Sequence, residues 1–309
     1  MAVSDYFWFD DGSLILEIQS KRFKIHRTLL TRHSPYISSL LQNAVPTMAE
    51  PQAVVIDASR DTSAEDFEVL LQHLYHDFPV TVETPFPRIA AIVRITSPGQ
   101  LHFPSLHDVS LRYFASLFPS GPTPFVHPHP LEEALDLATA FEVTSIRKGL
   151  YYSLMTSTDF DTGPASSDFV THSGTESDTQ ALSAVAESAE LPGKVPLDIY
   201  RHTLSAKDAQ VCMHLMTQFI EYFTPVLFTP PATAHMACTD VFADTWLRLV
   251  IEPALGNEGV YKPLETLENI KHIDWAKHGL CEVCVVDKIA EWSEEQHTIW
   301  RLMDGWLHA

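Results

Sequence analysis

Apolar and polar residues alternate over residues 14–18 and again over 21–25, and this period of two predicts a pair of β-strands. Only Gln19 and Ser20 separate the two runs, so the strands are expected to form a hairpin. The apolar members of the alternation are Leu14, Leu16, Ile18, Phe23 and Ile25. These residues are therefore expected to line the buried face of a small sheet.

The period changes to that of a helix directly after the second strand. Four residues recur at the spacing of one helical face, namely His26, Leu29, Leu30 and His33. Ser34 is a preferred N-cap residue and Pro35 suits the first helical position, so a second helix is expected to start there. The pattern thus predicts a strand that leads into two short helices with a sharp corner between them.

A third strand and a strongly amphipathic helix are predicted next. Residues 53–57 have the composition of a short strand. Thr62 and Glu65 have the spacing of a capping box, which predicts a helix start. The apolar residues of that helix recur at helical spacing and are Phe67, Leu70, Leu71, Leu74 and Tyr75.

Ten of the 21 prolines lie within residues 79–130. We therefore interpret residues 85–129 as a partly ordered insertion that projects from the surface. Within it, residues 89–95 predict a strand and residues 111–118 a helical turn. The insertion is either a partner-binding loop or an addition that the surface tolerates.

The second half of the chain is predicted to be helical apart from one segment. Apolar stripes in residues 130–156 predict a helical pair. Residues 157–193 are rich in Ser, Thr, Asp and Gly and contain no Lys or Arg, which predicts an acidic flexible linker. Residues 194–309 again show helical periodicity, and one predicted apolar face comprises Met213, Met216, Ile220 and Phe223.

The sequence of the N-terminal half of the chain resembles that of a known family. The run F-K-I-H-R-x-x-L-x-x-x-S-P-Y-x-x-x-L over residues 23–40, preceded by D-D-G-S-L-I-L-E-I, resembles the entry to the BTB/POZ domain and is most similar to BTB proteins of fungi. Residues 66–76 and 131–154 resemble the family's third helix and its closing helical pair. The resemblance implies an α+β domain over residues 5–156, a small sheet flanked by helices, with a further strand at residues 80–84.

The same resemblance implies a protein-interaction module and not an enzyme. It implies homodimerisation through the N-terminal strand and the first helices, with His26, Leu29, Leu30 and His33 as candidate interface residues. Leu29 and Leu30 are expected to be divided between the core and the partner. A scaffold or adaptor is the expected role. Because the family includes substrate adaptors of cullin-3 ubiquitin ligases, that role stays open as an alternative.

The composition of the chain disfavours nucleic acid and membranes as binding partners. The formal net charge of −20 disfavours nucleic acid, which attracts surfaces rich in Lys and Arg, and it equally disfavours an anionic membrane surface. No apolar run is long enough to span a bilayer, and the acidic N-terminus lacks the charge of a signal peptide. We therefore expect an intracellular protein of the cytoplasm or nucleus.

Two pairs of residues have the spacing of metal ligands, His235-x-x-Cys238 and Cys281-x-x-Cys284. The two-residue gap lets both side chains of a pair reach one tetrahedral ion, so a structural zinc held by one His and three Cys is one interpretation. Apart from this zinc, no cofactor is expected. Packing between helices is the alternative interpretation. A redox pair is a third, although no thioredoxin-like βαβ pattern surrounds the cysteines.

No catalytic constellation is evident in the sequence. The nucleophile elbow, the phosphate-binding loop and the zinc-protease motif do not occur. Paired acids such as Asp10-Asp11 and Glu132-Glu133 suit solvated surfaces. The chain is therefore predicted not to be an enzyme, and a hydrolase in the helical half stays open only as an alternative without assigned residues.

Overall fold

A computed structural model describes residues 2–42, 52–118, 121–124, 130–156 and 204–307. Within these ranges a small mixed sheet with flanking helices is followed by a helical C-terminal region, so the predicted α+β class is confirmed. The predicted flexible linker at residues 157–193 lies outside the described residues.

The sheet is built around the predicted hairpin. Its strands are β1 (Ala2–Trp8), β2 (Leu14–Ile18), β3 (Lys21–Ile25) and β4 (Gln52–Val55). β2 and β3 pair antiparallel, whereas β4 runs parallel to β2, and β1, which the pattern did not predict, runs parallel to β3. The order across the sheet is β1-β3-β2-β4, so β1 and β4 form its edges in the described part of the chain.

The N-terminal helices begin near the predicted capping residues, and the cap of one helix lies one residue later than predicted. They are α1 (Arg27–Thr31), α2 (Pro35–Gln42) and α3 (Ala64–Leu74). At the predicted corner, the Ser34 hydroxyl accepts from the Ile37 N–H at 3.0 Å and donates to the Leu101 carbonyl at 2.5 Å. The N-cap of α3 is Ser63 and not Thr62, because the Ser63 hydroxyl accepts from the Asp66 N–H.

The two helices in the described part of the predicted insertion contribute to the core, which corrects its interpretation as a surface projection. Residues 89–95, predicted as a strand, lie in α4 (Phe86–Thr96), and most of residues 111–118 lie in α5 (Pro104–Ser116). The misleading signal was proline. Pro87 and Pro104 lie in the first turn of their helices, where the missing N–H costs no helical hydrogen bond. Residues 119–120 and 125–129 lie outside the described residues.

The strand predicted at residues 80–84 is a turn. The Thr84 N–H donates to the Thr81 carbonyl at 3.1 Å, and the Thr81 N–H donates to the Thr84 hydroxyl at 2.8 Å. Val82 is exposed in this turn. The segment therefore closes on itself and leads into α4.

The remaining helices form the second half of the fold. They are α6 (Leu131–Ala140), α7 (Thr144–Thr156), α8 (Ala206–Phe228), α9 (Met236–Trp246), α10 (Glu252–Gly256), α11 (Pro263–Lys271) and α12 (Glu282–Trp306), and a π-helical segment, Leu247–Ile251, joins α9 to α10. α6 and α7 confirm the predicted helical pair. No helix in the described ranges is long and apolar enough to cross a membrane.

The apolar face predicted on α8 is correct in part. Phe223 is fully buried as predicted, whereas Met213 is exposed, and Cys212, Leu215 and Phe219 are buried in its place. Both sets of residues recur at helical spacing, so the period alone does not choose between the two overlapping faces. The choice depends on where the other helices pack.

Two hydrophobic cores meet at α4. Ile92 and Ile95 belong to the core of the sheet and α1–α3. Ile89 and Val93, on the opposite side of α4, belong to a second core that includes α6, α7 and the C-terminal helices. The C-terminal region therefore packs directly on the N-terminal half and shares its core.

Candidate functional sites

The structure brings together all four residues of the predicted metal site. His235 is the N-cap of α9 and Cys281 is the N-cap of α12. Cys238 and Cys284 are the third residues of the same two helices. An N-cap side chain and the side chain three residues later lie next to each other, as in a capping box. Each pair therefore presents two ligand atoms at the start of a helix, and the two helix starts face one another.

The distances within this group, which we term the His/Cys cluster, are short enough for one ion to contact all four residues. One ligand atom from each of the four residues lies within 4.8 Å of all the others. His235 Nδ1 is 3.2 Å from Cys281 Sγ and 3.5 Å from Cys284 Sγ, and Cys238 Sγ is 3.7 Å from Cys281 Sγ. Zinc–ligand bonds of about 2.3 Å to sulfur and about 2.0 Å to nitrogen place such ligands about 3.5–3.8 Å apart.

The two thiols of the second pair, Cys281 and Cys284, differ in pKa. Hydrogen bonds from the Cys284 backbone N–H and the His235 ring lower the pKa of the Cys281 thiol to about 6. Burial raises the pKa of the Cys284 thiol. Because the thiolate is the form in which cysteine binds a metal, Cys281 is prepared for that role.

The cluster lies at the surface end of the helical half. Cys238 and Cys284 are buried, Cys281 is partly buried and His235 is exposed. The turn before α9 is held by Thr233, whose N–H donates to the Thr239 hydroxyl at 2.9 Å and whose hydroxyl donates to the His235 carbonyl at 2.8 Å. The imidazole is thus positioned over the sulfurs from the solvent side.

The fourth cysteine of the chain, Cys212, lies elsewhere. It is buried in α8 within the second core, and burial raises the pKa of its thiol to about 12. The thiol that packs as an ordinary core residue is therefore separate from the three that meet at the cluster.

A second candidate site is the surface around α1, where the predicted interface residues lie. His26 is tied into its own chain, because Nδ1 is 2.8 Å from the Tyr75 hydroxyl and Nε2 is 3.2 Å from Asp11 Oδ2. The hydrogen bond with His26 lowers the pKa of Asp11. These contacts indicate that His26 fixes the corner between β3 and α1.

The other three predicted interface residues differ in exposure. Leu30 is fully buried in the sheet core, so its side chain does not reach the surface. Leu29 is partly exposed and His33 is exposed. Leu29 and His33 thus retain the position that an interface requires.

Sequence reasoning missed the aromatic residues of β1. Tyr6 is 66% exposed and Trp8 is 37% exposed, whereas Phe7 between them is buried. The run of four consecutive aromatic residues at 6–9 was the available signal, since aromatic residues favour strands and a strand places alternate side chains on opposite faces. An edge strand of the described sheet therefore carries two exposed aromatic side chains.

Comparison with known proteins identifies the N-terminal part of the chain. Residues 11–92, which are 82 of the 309 residues, match the BTB/POZ domain. The match ends inside α4 and so includes the start of the segment that had been interpreted as an insertion. No curated protein matches the chain. BTB/POZ domains are generally protein-interaction modules and are typically non-catalytic.

Proposed function

We propose, on the premise that residues 11–92 are a BTB/POZ domain, that this protein is a scaffold or adaptor that associates with a second copy of itself. The observation that carries the proposal is the exposed aromatic pair on edge strand β1. The surface formed by the exposed side chains of Tyr6 and Trp8 is here termed the β1 surface.

The edge position of β1 gives this surface its capacity to bind protein. In the described sheet, β1 has a neighbour only on the β3 side, so its other side offers backbone N–H and C=O groups to an added strand. Aromatic residues are enriched in protein interfaces, because they bury a large area at a low entropic cost. A second copy of the chain presents the same strand and the same aromatic pair, as a two-fold interface requires.

The test is the molar mass of the full chain, measured by size-exclusion chromatography with light scattering. We expect a dimer for the wild type and a monomer for Tyr6→Glu, because a carboxylate at the centre of the interface would lose its hydration. Leu255→Glu is the matched control, since Leu255 on α10 is 56% exposed and lies far along the chain from β1. The control is expected to remain dimeric.

A wild type that stays monomeric as its concentration is raised would contradict the proposal. So would a Tyr6→Glu variant that keeps both the dimer and its circular-dichroism spectrum. The cullin-3 alternative is tested in the same experiment by adding a purified cullin-3 N-terminal region and looking for a co-eluting complex.

A further inference from the structure

We propose that His235, Cys238, Cys281 and Cys284 bind one structural zinc ion that joins the start of α9 to the start of α12. The proposal is independent of the function proposed for the BTB/POZ domain. It assigns a metal site to the helical half, where the family match does not reach.

The donor set selects the class of metal. Three thiolates and one imidazole are soft or borderline ligands, which favour zinc over the oxygen-preferring magnesium and calcium ions. The N···S and S···S separations of 3.2, 3.5 and 3.7 Å are close to those of three of the six edges of a zinc tetrahedron, and the four ligand atoms all lie within 4.8 Å of one another. With four protein ligands the coordination would be closed, as is typical of structural and not of catalytic zinc.

The site is assembled by the fold without rearrangement of the backbone. Both pairs occupy the same two positions, N-cap and third residue, of their helices. Thr233 holds the turn that carries the imidazole.

The alternative interpretations account for less of this geometry. A disulfide requires sulfurs about 2.05 Å apart, whereas Cys238 and Cys281 are 3.7 Å apart and all the described cysteines are free. Packing accounts for the buried Cys238 and Cys284. It does not account for an exposed imidazole whose Nδ1 lies within 3.5 Å of two sulfurs.

Loss of the ion would affect the packing of a group of aromatic rings between α9 and α12. Phe242 on α9 lies 6.1 Å from Trp292 on α12, and Trp275 lies between the helices, 4.8 Å from Phe242 and 5.9 Å from Trp292. These rings pack between the two helices that the ion joins. Removal of the metal is therefore expected to change the near-ultraviolet circular dichroism of tryptophan.

The first measurement is the metal content of the full chain, purified without chelator and analysed by inductively coupled plasma mass spectrometry. We expect about one zinc per chain for a closed four-ligand site. His235→Ala and Cys281→Ser are expected to lower the content at least about tenfold, because each removes one of the four ligands.

Two matched controls separate metal binding from folding. Cys212→Ser removes a buried thiol outside the cluster, and His214→Ala removes an exposed imidazole from α8. Both are expected to retain the wild-type zinc content. His235 is itself exposed, so His235→Ala removes little packing and is expected to stay folded.

Reconstitution with cobalt identifies the ligands. Cobalt in place of zinc is expected to show the intense visible absorption of a tetrahedral site and a sulfur-to-cobalt charge-transfer band in the near ultraviolet. Cys281→Ser is expected to weaken that band, and Cys212→Ser is expected to leave it unchanged.

The proposal is overturned by a zinc content near zero in wild-type protein that also takes up no added zinc or cobalt. It is equally overturned if His235→Ala binds as much zinc as the wild type, or if mass spectrometry of the freshly purified wild type shows a disulfide between Cys281 and Cys284. The last result would assign the pair to redox chemistry instead.

Discussion

At the residue scale, the buried imidazole of His107, which lies between two helices, makes the stability of the fold depend on pH. His107 on α5 is 8% exposed, its Nδ1 lies 3.1 Å from the Thr96 hydroxyl of α4, and its ring packs against Phe141 at 5.1 Å. Burial lowers the pKa of this imidazole, although a hydrogen bond with Val93 and the charge of Asp108 act in the opposite direction. The folded protein therefore holds His107 neutral where the unfolded chain would be protonated.

This difference predicts that acid destabilises the fold through His107. The stabilising contribution is present above the ordinary pKa of 6.5 and is lost as the pH falls from there through the lowered folded pKa. We expect His107→Gln to flatten the dependence of the unfolding free energy on pH in that range, as measured by urea denaturation at several pH values. His297→Gln replaces an exposed histidine as the control. An unchanged slope in His107→Gln would contradict the prediction.

At the scale of elements, Arg94 joins three helices. From α4 it forms an ion pair with Asp66 of α3 through two hydrogen bonds, at 2.8 and 3.1 Å, and it contacts Glu133 of α6 at 2.5 Å. Asp66 is 8% exposed. The guanidinium therefore neutralises two carboxylates that close packing of these helices brings together.

We expect Arg94→Met to destabilise the protein by about 2–4 kcal/mol, because Asp66 would remain buried without its partner. The free energy of unfolding in urea measures this loss. Arg301→Met is the matched control, since the pair of Arg301 with Glu294 is exposed on both sides and should be worth less than about 1 kcal/mol. Equal losses in the two variants would show that Arg94 does not join the helices in this way.

At the scale of the whole molecule, the two halves share a core. α7 is buried on nearly all sides, and Tyr152 contacts the C-terminal region through a hydrogen bond with Glu265 and one from the Leu264 N–H at 3.2 Å. Tyr151 donates to Asp208 of α8 at 2.6 Å. α7, the second helix of the pair that resembles the end of a BTB/POZ domain, is thus covered by the C-terminal helices.

A fragment of residues 1–156 is therefore expected not to fold stably by itself. Removal of the C-terminal helices would expose α7, at a cost of about 1.5–3 kcal/mol for each large apolar side chain. We expect the fragment to bind a hydrophobic dye and to unfold without a cooperative transition. Co-expression with residues 204–309 is expected to abolish dye binding and to give a cooperative transition. A fragment that melts cooperatively and binds no dye would contradict this prediction.

The pattern of apolar residues predicts the structure correctly at the start of the N-terminal half and incorrectly at its end. Leu14, Leu16, Phe23 and Ile25 were placed correctly, because a period of two allows only one face of a hairpin to be apolar. Residues 89–95 were misassigned as a strand, since a continuous apolar run fits a buried strand and a buried helix equally well. The domain boundaries proposed from the sequence stay predictions.

For the candidate sites, the sequence determined the ligand types and their two-residue spacing, because that spacing is local. Only the tertiary structure decided that the pairs around His235 and Cys281 meet, since the packing of α9 against α12 depends on contacts that are distant along the chain. It likewise decided that Leu30 faces the core and Leu29 the surface, because adjacent residues on one helical face differ only in what packs against them. The sequence by itself thus determined elements and chemistry, and long-range packing determined which residues are buried and which meet.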